Sequence, residues 1–148
     1  MELKDLIPVL QLALGPVILI SGVGMLILTM TNRLGRTIDR SRQLVDLRRQ
    51  AESENRIRLE LQLGILWRRA RLLRASITFA GLTVLLDALM MITLFVGALT
   101  TWRVAIAVAV VFALSLLSLI ASIVLFLRDI NLALRALGHE LDVAAQLK

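Results

Sequence analysis

The residue that most demands a chemical reason is Asp87, which stands within the run from Ala75 to Trp102, 28 residues with no other charge. An acid at the centre of a membrane helix costs about 2.5–3.5 kcal/mol on insertion, so it should face protein and not lipid. Two kinds of chemistry fit such a residue. It handles an ion or a proton, or as a neutral acid it hydrogen-bonds helices together. Its helical face carries Ser76, Ala80, Thr83, Asp87, Met90, Leu94, Gly97 and Thr101, small and polar groups three and four apart, with Thr83 one turn from the carboxyl. In the next apolar run Ser115, Ser118 and Ser122 share a face, and counting from the ends of each run sets Ser115 and Ser118 at the depth of Asp87. Asp87, Thr83, Ser115 and Ser118 are therefore the expected intramembrane polar site.

A second polar stripe runs through Gln11, Gly15, Ile18, Gly22, Met25 and Thr29. Small residues on a membrane helix permit close helix packing, and polar stripes also line pathways, so both readings apply to Gln11, Gly15, Gly22 and Thr29. Little else offers chemistry. The chain has no cysteine and one histidine, which excludes disulfides, thiolate metal sites and a cysteine nucleophile. It carries no Gly-rich phosphate loop, no metal-spaced His or acid pair and no nucleophile elbow. Neither an enzyme, a cofactor nor a metal is expected.

These groups need elements to position them, and the composition names the solvent. Of 148 residues 58% are hydrophobic and 19% charged, and the mean hydropathy is +0.83, values outside those of an ordinary soluble domain. Three runs are long enough to cross a hydrocarbon core of about 30 Å: residues 6–32, 75–102 and 104–127. The first is too long for a cleaved leader, and its head is not basic. Thr100 to Arg103 is the only connection between the second and third, which makes them a tight antiparallel hairpin with Trp102 at an interface. The fold class expected is all-α and integral to the membrane, one domain of three transmembrane helices. A cytoplasmic helical hairpin (33–74) joins spans one and two, and an amphipathic helix (128–148) follows span three.

Charge fixes the sidedness. Residues 33–74 hold 12 Arg against 5 acids, a net of +7, so the remainder of a chain whose net is +6 sums to −1. The Arg-rich loop is expected in the cytoplasm, the N-terminus outside and the C-terminus inside. Helical spacing in Leu34, Ile38 and Val45 and in Leu59, Leu63, Leu66, Ala70 and Leu73 predicts two arms that reverse near Ser53–Asn55. Acids three or four residues from arginines, such as Asp39 and Asp46 beside Arg42, add about 0.2–0.5 kcal/mol each to an exposed helix. Arg33, Arg36 and Arg40 beside span one, and Arg68, Arg69, Arg71 and Arg74 beside span two, are placed to meet anionic lipid headgroups or a protein partner. Nucleic acid is not an expected partner, because Trp67 is the one stacking residue here. In the tail, Ile130, Leu134, Leu137, Leu141 and Ala144 form an apolar stripe, and His139 reads as a solvent-facing residue.

The run from Gln11 to Val17, the block from Thr31 to Arg42 with its Asn-Arg-Leu-x-Arg-x-x-Asp-Arg pattern, and the block from Arg68 to Thr78 resemble a family of small bacterial three-span membrane proteins whose function is unknown. The resemblance covers about Leu6 to Leu134 and implies a bacterial inner-membrane protein. It transfers no activity and no site residue. The residues themselves rank two functions. The first is a homo-oligomeric channel with an ion or proton pathway at Asp87 and a collar of arginines, since three helices alone enclose little space. The second is a scaffold or regulatory subunit that transports nothing and docks a partner or anionic lipid through the Arg-rich hairpin.

Overall fold

The structure, a computed structural model, describes residues 3–50, 52–99 and 105–146. Those residues form three helices, α1 (Leu3–Gln50), α2 (Ser53–Leu99) and α3 (Ala105–Gln146), with no strand among them. All three are long and apolar enough to cross a membrane. Span and arm, expected as successive elements, are single helices. The 48 residues of α1 extend about 72 Å at helical rise, more than twice the thickness of a hydrocarbon core. It continues as helix through Pro16, and no glycine interrupts any of the three. The connection expected at Thr100–Arg103 and the side chains of Leu137, His139, Leu141 and Ala144 lie outside the described residues.

The reversal between α1 and α2 falls at Glu52 and not at Ser53–Asn55, where the sequence had placed it. The backbone N–H of Arg56 already donates to the Glu52 carbonyl at 3.1 Å, closing the first turn of α2. Charge explains the position. Arg48 and Arg49 occupy the last turn of α1, and Glu52 stands just before α2, so each of these charges lies at the helix end whose dipole favours it.

Packing gathers the helices into two compact units, one of Met1–Leu28 with Thr78–Ser122 and one of Thr29–Ile77 with Ile123–Lys148. In the first, the buried residues among those described are Pro16 and Val23 on α1, Ala80, Thr83, Asp87 and Met90 on α2, and Ser115, Ser118 and Ser122 on α3. Large apolar side chains such as Leu85, Ile92, Leu117 and Ile120 point outward. A polar seam inside an apolar exterior inverts the soluble pattern and suits a lipid solvent, in which small residues and hydrogen bonds hold helices together.

The second unit buries Met30, Thr37 and Leu44 on α1, Leu73 and Ser76 on α2, and Asp129 on α3. Spacing along each helix is that of a heptad seam: Val23, Met30, Thr37 and Leu44 lie seven apart, and Leu73 to Met90 alternate three and four. Gly35 and Gly64 lie in this unit, and a Cβ at either would meet nothing within 4 Å. Replacing either by alanine is expected to stabilise the helices by about 0.5–1 kcal/mol, read as a higher unfolding midpoint in detergent. A lower midpoint would mean that these positions are packed against something outside the chain.

Candidate functional site

Asp87 is fully buried between α2 and α3. The Ser115 hydroxyl donates to its Oδ1 at 2.6 Å, a bond across two helices that the equal-depth argument anticipated. Thr83 does not reach the carboxyl. Its hydroxyl lies 3.0 Å from the Phe79 carbonyl and 3.4 Å from that of Ser115, a back-bond along α2 shared with a bridge to α3. Ser118 also turns away from Asp87 and donates to the Phe79 carbonyl at 2.8 Å. Three hydroxyls thus stitch α2 to α3, but only one of them serves the acid, and Asp87 Oδ2 is buried without a hydrogen-bond partner.

The stripe of Gln11, Gly15, Gly22 and Thr29 faces outward along α1. The inward seam runs one residue further on, through Pro16, Val23 and Met30. A Cβ at Gly15 or Gly22 would meet nothing within 4 Å, so these glycines allow no close approach within one chain.

In the second unit a carboxylate missed in the sequence organises the arginines. Asp129 is fully buried, accepts from Arg69 Nε at 3.2 Å through Oδ1, and lies 3.5 Å from Arg33 Nη2 through Oδ2. Arg33 comes from α1, Arg69 from α2 and Asp129 from α3, so one acid ties three helices. The Arg33 guanidinium also lies over the Phe126 ring, 5.4 Å from its centroid, a cation–π contact one turn from Asp129 on α3. Nearby the Ser76 hydroxyl meets Met30 Sδ at 3.2 Å. Thr37 donates to the Arg33 carbonyl at 2.9 Å and Ser41 to that of Thr37 at 2.8 Å.

Arg33 and Arg69 are therefore structural cations, only about a quarter and a fifth exposed. Arg68 and Arg71, on the other side of α2, join Arg128 and Arg135 of α3 around an open groove of about 720 Å³. Leu72, Ala75 and Leu132 give it an apolar lining and Asn131 adds an amide. Arg36 and Arg74 line neither the groove nor the clamp and are exposed, and Arg40 turns to Gln43, 3.4 Å away. The sequence carried one signal for Asp129: the seam Ser115–Ser118–Ser122, continued by one heptad, arrives at it. Arg128 and Arg135 were hidden because they lie in the tail, away from the segment richest in arginine.

None of the short-range pairs expected for Asp39 and Asp46 closes into an ion pair. Long exposed side chains lose more freedom in such a pair than screened attraction returns. The arms instead meet through Arg48 and Glu60, 2.6 Å apart and both about half exposed. Glu60→Gln is expected to change stability by less than about 0.5 kcal/mol in a denaturant titration. A larger loss would mean that this pair is shielded from solvent.

A family model described as a protein of unknown function (DUF2721) matches residues 13–139, which takes in α2, most of α1 and α3, and both Asp87 and Asp129. The chain belongs to this family. No curated protein matches it, and no solved structure does. Membership in DUF2721 agrees with the resemblance drawn from the sequence in its coarse form, an uncharacterised family with three apolar helices.

Proposed function

We propose that this member of DUF2721 is a membrane-anchored scaffold or regulatory subunit that transports nothing and docks a partner or anionic lipid through its Arg-rich unit. The observation that carries the reading is the clamp of Asp129 with Arg33 and Arg69. A loop that only joined two spans would need no ionic centre binding three helices. This one holds a unit beyond the length that spanning requires, and leaves Arg68, Arg71, Arg128 and Arg135 around an open groove. The distribution of Arg supports a cytoplasmic Arg-rich unit with the N-terminus outside, in a bacterial inner membrane. Copies of the chain meet, in this reading, along the outward face of Gly15 and Gly22, which the chain's own seam does not use. Gly22→Leu is then expected to lower the oligomeric mass in detergent, measured by light scattering, with helix content unchanged. An unaltered mass would remove that face from the assembly.

A second reading has one specific observation in its favour. Asp87 Oδ2 is buried without a partner, as an ion- or proton-handling carboxylate would leave it, so a homo-oligomeric channel through Asp87 is the competing function. The discriminating experiment is ion and proton flux into liposomes for the parent and Asp87→Asn, after matching their oligomeric mass. The scaffold reading expects no flux from either under voltage, pH or osmotic stress. Flux in the parent that vanishes in Asp87→Asn would replace it with the channel.

A further inference from the structure

Four arginines line one groove with no counter-charge among the described residues. Arg68 and Arg71 stand three apart on α2, a like-charge pair that destabilises an isolated helix, and Arg128 and Arg135 face the same space from α3. Among the described residues no carboxylate lines the groove and none of the four arginines is ion-paired. Asp129, next to Arg128 in sequence, is buried and already engaged by Arg33 and Arg69. Among the described residues these four cations have no counter-charge, which leaves the groove open to an anion from outside the chain.

The lining states what kind of anion fits. Arg128 is the first charge after the uncharged run 104–127, and Ala75 opens the other run toward Asp87, so the cations stand where the apolar segments end. Leu72 and Ala75 make the groove apolar on one side, and Val124, one turn before Arg128, is exposed. A guanidinium fork matches phosphate oxygens bidentately, and basic pockets between helices at a membrane face take up anionic headgroups. We propose that the groove edged by Arg68, Arg71, Arg128 and Arg135 binds the phosphate of an anionic glycerophospholipid, with an acyl chain lying along Leu72 and Ala75. This deepens the docking reading above and rests on it for the choice of working surface.

The test is native mass spectrometry of the full chain in a neutral detergent, titrated separately with phosphatidylglycerol, phosphatidylcholine and inorganic phosphate. The parent is expected to retain phosphatidylglycerol in preference to the other two. Arg68→Gln with Arg128→Gln should weaken that retention about 25-fold, two surface contacts of about fivefold each. Arg49→Gln with Arg56→Gln, an equal loss of charge outside the groove, should leave retention unchanged. Equal weakening by both pairs would overturn the site in favour of diffuse attraction. Inorganic phosphate held as firmly as phosphatidylglycerol would overturn the lipid as its source. Should the first pair lose helicity, Ala75→Asp, which sets an acid in the apolar lining, must abolish retention, and a variant that keeps it overturns the proposal. Flux measured in liposomes of the same lipid separates the two readings, since flux together with groove-dependent retention defeats the scaffold and leaves the lipid site standing.

Discussion

Replacing Arg33 and Arg69 together by methionine is expected to destabilise the protein by about 3–5 kcal/mol, the cost of leaving a buried carboxylate without its cations. Asp129 is fully buried while the two arginines retain partial access to solvent, so the penalty falls on the acid. Adding Asp129→Leu to that variant should recover most of the loss, because an apolar group of similar size removes the stranded charge. The measurement is helicity against denaturant in mixed micelles, with the parent, the double and the triple variant side by side. A double variant within about 0.5 kcal/mol of the parent, the scale of an exposed pair, would show that Asp129 gains nothing from either arginine. A triple variant no better than the double would assign the loss to arginine packing, since the Arg33 guanidinium also covers Phe126.

The clamp also marks where reading from sequence stops. The spans were legible because apolar runs of 24–28 residues with at most one charge have few alternatives outside a bilayer, and Ser115 was legible because antiparallel neighbours with equal rise bring equal depths together. Asp129 was not. It follows Arg128 at the edge of an apolar run, where a charge looks like ordinary interfacial punctuation, and only its phase relative to the three serines points inward. The glycine stripe of α1 marks a face on which the chain itself does not pack. Small residues at Gly15 and Gly22 announce a packing face, but the chain's own seam is set by the bulkier Val23 and Met30, about 100° further round the helix. Among the arginines, type and position could not divide clamp from groove. That division depends on which side of α2 each faces.

The second large effect concerns Asp87. Asp87→Ala is expected to cost about 2 kcal/mol, since it opens a cavity in the seam and leaves the Ser115 hydroxyl, now 2.6 Å from Oδ1, without its acceptor. Asp87→Asn should cost less than about 1 kcal/mol, because the amide oxygen accepts the same bond. In the cycle formed with Ser115→Ala, the coupling between the two positions should reach about 1–1.5 kcal/mol, near the upper end for hydrogen bonds between membrane helices. Additive losses would mean that the short contact between Asp87 and Ser115 contributes nothing. Flux measured on Asp87→Asn, which keeps the fold, then reports on transport separately from assembly.

The bond between Asp87 and Ser115 joins residues 28 apart in sequence, and during synthesis that interval is time. When α2 is ready to leave the translocation machinery its carboxyl does not yet have the Ser115 hydroxyl beside it, because α3 follows later in the chain. Passing alone into lipid would expose an acid that only the following helix can shelter. Release of α2 and α3 as a pair removes that interval of exposure, which makes the hairpin, and not the single helix, the natural packet of membrane insertion.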